Sequence, residues 1–173
     1  MFSRSPKPAV PVAPAPDQAD AEVQFNLGLK FASGLGAVPD YGQAAEWYRK
    51  AAAQSHPLAQ YNLGMMYARG QGVTPDAGAA KMWLGKAAQL GDPGAQYNLG
   101  ERLHRASYDE LPAVAAESRI EAYKWYRLAA GQGYQNSENA YTTLTLNMTR
   151  ADVTDGIERV AAFVPGKTNA PTG

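Results

Sequence analysis

The chain of 173 residues carries 16 Lys and Arg against 16 Asp and Glu, so its formal net charge is zero. A balanced charge favours neither nucleic acid nor an anionic membrane as a partner, because both attract a basic excess. The sequence contains no cysteine, which excludes disulfides and thiolate zinc sites. No apolar run reaches the roughly 18 residues that a membrane-spanning helix needs, so we expect one domain or one short repeat array without membrane insertion.

The first segment, residues 1–20, is rich in proline and alanine. Arg4 and Lys7 resemble the basic start of a secretory signal, but prolines interrupt the apolar stretch and prevent the helix that a signal forms. We therefore predict a disordered N-terminal segment that acts as an extended tether. The localisation that follows is cytoplasmic, or periplasmic or secreted if a signal has been removed.

Residues 21–134 contain an internal repeat. A glutamine recurs every 36 residues, and each copy is followed, after one intervening residue, by Asn-Leu-Gly. These segments begin at Gln24, Gln60 and Gln96. A downstream tryptophan recurs with a second interval of 42 residues instead of 36, at Trp47, Trp83 and Trp125. The pattern predicts three repeats, at about 21–57, 58–93 and 94–134, with an insertion near 106–117 in the third.

Each repeat is expected to form two helices joined by a turn. In the first repeat, "AAEWYRKAA" places its apolar residues on one face of a helix. The turns "GLGAVPD" and "GQGVTPD" combine a glycine that ends the first helix with an aspartate, Asp40 or Asp76, that caps the second. A glycine inside each first helix, at Gly28, Gly64 and Gly100, predicts a close approach of neighbouring backbones there.

The pattern weakens after the third repeat. With the 42-residue offset, Thr142 falls at the glycine position of the repeat. Thr149 and Asp152 form a capping-box pattern, which predicts that a last helix follows directly. Residues 135–164 are therefore expected to form a degenerate repeat or capping helices, and residues 165–173 a disordered tail.

The second repeat, "AQYNLGMMYARGQGV" followed by "AAKMWLGKAA", resembles the Sel-one-like repeat, a relative of the tetratricopeptide repeat. The first and third repeats resemble it with departures, such as Phe31 and Leu103 where the pattern has tyrosine. The resemblance implies an all-α fold, an α-solenoid in which helix-turn-helix repeats stack into a right-handed superhelix. It also implies a protein–protein interaction module of the adaptor or scaffold type, found in bacterial signalling, envelope and effector contexts.

The resemblance further implies where a protein or peptide ligand binds, because the first helix of each repeat lines the concave groove of such a solenoid. The implied groove residues are Phe25, Asn26, Leu29, Tyr61, Asn62, Met65, Arg69, Tyr97, Asn98, Glu101, His104 and Arg105. Their asparagines either hold the backbone of an extended peptide or fix the packing between helices. Their three aromatic side chains either stack on a ligand or pack in the core.

The last part of this groove differs most from the repeat pattern. Glu101, His104 and Arg105 either recognise a specific partner or form a solvated helix end. The insertion, around Tyr108 to Leu111, forms either a lip over the groove or a tolerated surface loop. We regard this region as the best candidate for specific recognition, because repeat proteins vary there without losing their stack.

Enzyme chemistry has little support in the sequence. Its only histidines are His56 and His104, so it lacks the paired histidines of a helical metal site. His56 lies between two repeats and is expected to be a solvated turn residue. We predict no catalytic residues, no metal site and no cofactor. Two alternatives to an adaptor remain: a tethered structural spacer or self-associating module, and a catalytic or hydrolase-accessory module with a deep pocket.

Overall fold

The computed structural model describes residues 20–34 and 38–166. Within these ranges the chain is helical and contains no β-strand. The helices are α1 (Ala21–Ser33), α2 (Tyr41–Ala53), α3 (Pro57–Arg69), α4 (Ala77–Gln89), α5 (Pro93–Ala106), α6 (Pro112–Gly131), α7 (Ser137–Thr145) and α8 (Arg150–Ala161). The predicted N-terminal segment, apart from Asp20, and residues 167–173 of the predicted tail lie outside the described residues.

The first six helices form three successive helical pairs. Helix α1 packs most extensively on α2, α3 on α4, and α5 on α6, while α2 on α3 and α4 on α5 make the contacts between repeats. Packing between sequence neighbours is the organisation of a solenoid, in which each repeat buries its apolar face on the next. The prediction of an all-α repeat fold is confirmed.

The predicted caps set the limits of the helices. Asp40 Oδ1 accepts a hydrogen bond from the backbone N–H of Gln43 at 2.9 Å, and Asp76 Oδ1 accepts one from Ala79 at 3.0 Å. Each satisfies a donor that the first turn of a helix leaves unpaired. Gly70 ends α3 with a left-handed φ of 68°, which a side chain would disfavour. These predictions are confirmed.

The glycines inside the first helices make room for side chains of the second helices. A Cβ atom at Gly28 would lie 2.5 Å from Cδ1 of Tyr48, and one at Gly100 would lie 2.9 Å from Cδ1 of Tyr126. Both tyrosines are buried and belong to the paired helix of the same repeat. The glycines therefore allow a close approach of the paired helix, but the prediction that backbones meet there was wrong in detail, because the nearest atoms at Gly28, Gly64 and Gly100 belong to side chains.

The glutamines that recur every 36 residues join one repeat to the next. Gln60 Nε2 donates to the carbonyl oxygen of Ala52 at 3.1 Å, and Gln96 Nε2 donates to that of Ala88 at 3.2 Å. Both carbonyls lie in the last turn of the preceding repeat's second helix, where helix geometry leaves carbonyls without a partner inside the helix. The glutamines of the second and third repeats thus each bind the helix end of the repeat before them.

The insertion of the third repeat lengthens a helix. Helix α6 has 20 residues, whereas α2 and α4 have 13 each. The connection before α6 spans only residues 107–111 and carries two exposed apolar side chains, Tyr108 at 70% and Leu111 at 77% exposure. The added residues thus extend α6 at its N-terminal end.

The C-terminal helices do not pair as the helices of a repeat do. Both α7 and α8 pack on α6. Thr142, aligned with the repeat glycine, is exposed, while the fully buried side chain of α7 is Leu144. The repeat alignment was therefore wrong in this segment, because burial on α6 selects a different face of α7. The predicted capping box is confirmed: Thr149 Oγ1 accepts from Asp152 N at 3.2 Å, and α8 follows.

The start of the predicted disordered tail packs on the solenoid. The N–H of Gly166 donates to the carbonyl oxygen of Gln89 at 2.9 Å. The ring of Phe163 lies edge-on to Trp125, with centroids 5.6 Å apart. The expectation of disorder is wrong for Pro165 and Gly166, because an apolar contact and a free carbonyl at the end of α4 hold this segment.

Candidate partner-binding surface

The predicted groove residues all lie on α1, α3 and α5, and we call this set the first-helix wall. In the part of this wall that α1 forms, one residue lies in the core and two lie on the surface. Phe25 is only 7% exposed, with its ring 4.5 Å from that of His56 and 5.8 Å from that of Tyr48. Asn26 and Leu29 are exposed, and Asn26 Nδ2 donates to Glu22 Oε1 at 3.2 Å. Phe25 therefore contributes to the core, and its two neighbours on the wall contribute to the surface.

His56 has a structural role that the sequence analysis missed. Its Nδ1 accepts the N–H of Ala59 at 3.2 Å and so caps α3, while Nε2 lies 3.0 Å from Glu22 Oε2. The side chain is 11% exposed, so the expectation of a solvated turn histidine was wrong. The extended backbone before Pro57 places the ring at the helix start, where an unpaired N–H needs an acceptor.

The middle of the wall is half-buried. Burial raises the pKa of Tyr48 on α2, and the nearby amide of Asn62 partly offsets that rise. Met65 packs against the core formed by α4, α5 and α6. Arg69 is exposed at the end of α3. Of the two interpretations of the asparagines, Asn62 thus fits the one in which an amide fixes helix packing.

The third asparagine and its neighbours end the wall. Asn98 Nδ2 donates to the carbonyl oxygen of Gly94 in its own helix at 2.8 Å, so the three asparagines do not share one role. Glu101 and Arg105 form a pair one helical turn apart at 3.5 Å. Arg105 keeps 77% of its side chain exposed, so its guanidinium retains capacity for further acceptors.

A continuous series of aromatic rings crosses this end of the wall. Burial raises the pKa of Tyr61, and its neighbour Tyr134 adds to the rise. The ring of Tyr134 is 5.4 Å from that of Tyr97, which is in turn 5.5 Å from that of Tyr126. His104 lies between Tyr126 and Tyr108, at 6.4 Å and 5.4 Å. We call the aromatic row these residues: Tyr61, Tyr134, Tyr97, Tyr126, His104 and Tyr108. Sequence analysis missed Tyr126 and Tyr134, because they come from α6 and the turn after it and reach α5 only in the fold.

Burial shifts the pKa values of three members of the aromatic row, Tyr97, Tyr126 and His104. Burial raises the pKa of Tyr97, and the nearby Glu101 adds to the rise. Burial raises the pKa of Tyr126 still more. Burial also lowers the pKa of His104, as does the positive charge of Arg119. These shifts favour the neutral forms of Tyr97, Tyr126 and His104, which lie near the ion pair of Glu101 and Arg105.

The described part of the chain contains neither a metal-binding cluster nor a helix able to span a membrane. No cluster of three or more histidine, aspartate or glutamate side chains has the arrangement of a metal site in residues 20–34 and 38–166. No helix in those ranges is long and apolar enough to cross a membrane.

The repeats and the fold match known proteins. The Sel1 repeat family model matches residues 21–56, 57–92 and 93–134. A solved structure of a protective antigen present in uropathogenic Escherichia coli strains, which displays an SLR fold, is 26% identical with a TM-score of 0.70; the match covers 91% of this chain and 35% of the antigen. This chain thus spans about a third of the antigen's length.

A second solved structure, a Sel1 repeat protein from Oxalobacter formigenes, is 34% identical with a TM-score of 0.60, covering 72% of this chain and 89% of that one. No curated protein sequence matches the chain. The family model accounts for each of the three repeats, and both structures share the stacked helical pairs seen here. The chain therefore belongs to the Sel1 repeat family.

Proposed function

We propose that this chain binds a partner protein at the C-terminal end of the first-helix wall, with the aromatic row as its anchor. Sel1 repeat proteins are generally protein-interaction modules, and the family is typically non-enzymatic. The observation that carries the proposal is the aromatic row itself, which ends in Tyr108 at 70% exposure beside the exposed Arg105.

The composition of this surface is that of a protein interface. Tyrosine and arginine are enriched among the residues that dominate binding energy, because both combine a large contact area with a polar end. Tyr97, which is partly exposed, is held between Tyr126 and Tyr134, so little side-chain entropy is lost when a partner covers it. Glu101 and Arg105 add both signs of charge, which favours one orientation of the partner.

The third repeat differs from the first two at the end of the first-helix wall. Where the first two repeats have Leu29 and Met65, the third has Glu101. Buried positions also vary between repeats, since Tyr48 and Leu84 are equivalent and both are buried. The appearance of Glu101 supports a binding role at this end, because its side chain is 46% exposed and stacking of the repeats does not require a charge there.

The test is capture of partners from an extract of the source cells by the immobilised full chain. We expect Tyr108→Ala and Arg105→Glu each to reduce capture of the same partner at least tenfold, about 1.4 kcal/mol of binding free energy. Arg150→Glu is the matched control, because Arg150 is an exposed arginine on α8, away from the wall.

Unchanged melting temperatures must accompany the loss of capture, so that loss of binding is separated from loss of folding. If Tyr108→Ala and Arg105→Glu retain full capture, as the control does, the proposal is wrong. The alternative of a structural spacer then becomes the better interpretation, since it requires no partner at this surface.

A further inference from the structure

The side-chain oxygen Oε1 of the recurrent glutamine accepts a hydrogen bond in the first and third repeats but not in the second. In the first repeat Gln24 Oε1 accepts from Gln54 Nε2 at 2.9 Å, and in the third Gln96 Oε1 accepts from Gln132 Nε2 at 2.9 Å. Gln54 and Gln132 are the C-cap residues of α2 and α6. In both repeats the glutamine of the first helix is therefore paired with the residue that ends the second helix.

The equivalent C-cap residue of the second repeat is Leu90, whose side chain has no hydrogen-bond donor. Gln60 is 3% exposed, and its Oε1 is buried without a hydrogen bond from any residue in the described ranges. Gln89 Oε1, next to the cap, is in the same state. A buried acceptor without a donor costs free energy, so the second repeat carries a cost that the other two avoid.

Gln60, whose Oε1 is unpaired, and the C-cap residue Leu90 lie beside a cleft. A cleft of about 750 Å³ opens along α4, with α2 on one side and Trp125 of α6 on the other. Both Gln60 and Leu90 line it, together with Gly78, Met82 and Gly85 of α4. A Cβ atom at Gly85 would meet no atom within 4 Å, so the cleft has room for a further side chain at this point. This surface belongs mainly to the second helices and is distinct from the first-helix wall.

The rim of the cleft is basic. Lys81 and Lys86 line it, and no carboxylate of the described residues forms a salt bridge with either of them. Lys86 instead lies 4.5 Å from the ring centroid of Trp83. Apolar side chains line the interior, among them Met82 with 47% exposure. A ligand that fits has an apolar group, an N–H donor and negative charge.

We propose that the cleft along α4 is a second binding site, which takes an acidic peptide segment of a partner protein. An apolar side chain of the peptide fills the space beside Gly85 and Met82. An amide of the peptide supplies Gln60 Oε1 with the donor that Gln54 and Gln132 supply in the other repeats. Its carboxylates pair with the lysines of the rim. This site goes beyond the proposed function, because it uses none of the first-helix wall.

The first experiment tests the ligand class with the full chain and an array of N-acetylated, C-amidated hexapeptides. The acidic set places Leu, Phe or Met next to Asp or Glu, and a matched set carries Lys in place of the acidic residue. Fluorescence polarisation is expected to show at least tenfold tighter binding by the acidic set. Equal binding by the two sets, or no binding by the acidic set, would overturn the proposal.

The second experiment locates the site. Gly85→Leu places a side chain in the cleft and is expected to weaken peptide binding at least tenfold. Gly131→Leu is the matched control, because Gly131 is another helical glycine whose Cβ would meet no atom within 4 Å. Arg105→Glu must leave peptide binding intact, which keeps this proposal separate from that of the wall. Full binding by Gly85→Leu would show that the peptide binds elsewhere and refute the site.

A third variant tests the unpaired acceptor. Leu90→Gln restores the side-chain pair of the other repeats, so it is expected to raise the melting temperature by about 2–4 °C and to weaken peptide binding at least tenfold. Leu90→Met, which keeps an apolar side chain, is expected to do neither. A melting temperature that does not rise in Leu90→Gln would show that Gln60 needs no further donor and remove the basis of the proposal.

Discussion

Single residues in this protein owe their identity to a few specific neighbours. His56 is the clearest case: one ring nitrogen caps α3, the other meets Glu22, and its face stacks on Phe25. Asp92 caps α5 as His56 caps α3, since its Oδ1 accepts a hydrogen bond from the N–H of Ala95. The position before each first helix therefore needs an acceptor, and aspartate and histidine both provide one.

The recurrent glycine of the first helices provides a test at the residue scale. We expect Gly28→Ala to destabilise the chain by about 1–3 kcal/mol, because the new methyl group overlaps the buried ring of Tyr48. Gly85→Ala should instead stabilise it by up to about 1 kcal/mol, because alanine is the better helix former and the space is open. Chemical denaturation of both variants measures the difference, and equal effects would show that the ring yields without cost.

At the scale of elements, one arginine of α8 joins it to α6 through ion pairs. Arg159 donates to Glu117, Glu121 and Asp155, over distances of 2.5 to 3.0 Å. Burial raises the pKa of Glu121, but hydrogen bonds from Arg159 and Lys124 outweigh burial and hold it below the ordinary 4.5. The depressed pKa means that the folded state favours the ionised carboxylate.

We expect Arg159→Ala to destabilise the chain by about 1–3 kcal/mol, because it removes charge-assisted hydrogen bonds that join two helices. The stabilisation from Glu121 is present above its unfolded pKa and is lost as the pH falls through the lower folded pKa. Unfolding measured at pH 7 and at pH 3 should therefore show a smaller effect of the substitution at pH 3.

Arg127→Ala is a suitable comparison, because Arg127 lies on α6 and contacts the ring of Tyr141 without a carboxylate partner among the described residues. Its effect should not depend on pH in this range. If Arg159→Ala has the same effect at both pH values, the carboxylates contribute nothing to the attachment of α8.

At the scale of the whole molecule, stability comes mainly from contacts between helices that follow one another in the chain. The middle helices α3 to α5 have extensive contacts on two sides, whereas α1 packs extensively only on α2 and α7 only on α6. In such an array the end elements open at lower free energy than the middle. Amide hydrogen exchange should therefore be slowest in α3, α4 and α5 and faster in α1 and α7. Uniform protection of these helices would indicate a single cooperative unit.

Much of the fold was predictable because it depends on local rules. The 36-residue recurrence of Gln24, Gln60 and Gln96 set the repeat length, and the turns with Asp40 and Asp76 set the helix limits. Helix periodicity, caps and glycine turns act over a few residues, so one sequence suffices to read them. The C-terminal segment lacks these signals, and there the alignment of Thr142 was wrong.

The candidate site was predictable only in part. The twelve wall residues remain a prediction as a binding surface, and the sequence alone placed Glu101, His104 and Arg105 together because they share one helix. It did not indicate that Tyr126 and Tyr134 complete the aromatic row, since these residues come from beyond the insertion. It also did not show that Leu90 interrupts a hydrogen bond, because the partner, Gln60, lies 30 positions earlier.

By itself the sequence determined the family, the number of repeats and the caps, all of which are expressed in spacings along the chain. Only the tertiary structure decided which side chains lie next to each other: the burial of Phe25, the role of His56, the aromatic row and the cleft beside α4. The physical reason is that hydrogen bonding and burial depend on distance in space, and the packing of α6 on α5 brings together residues that no local pattern connects.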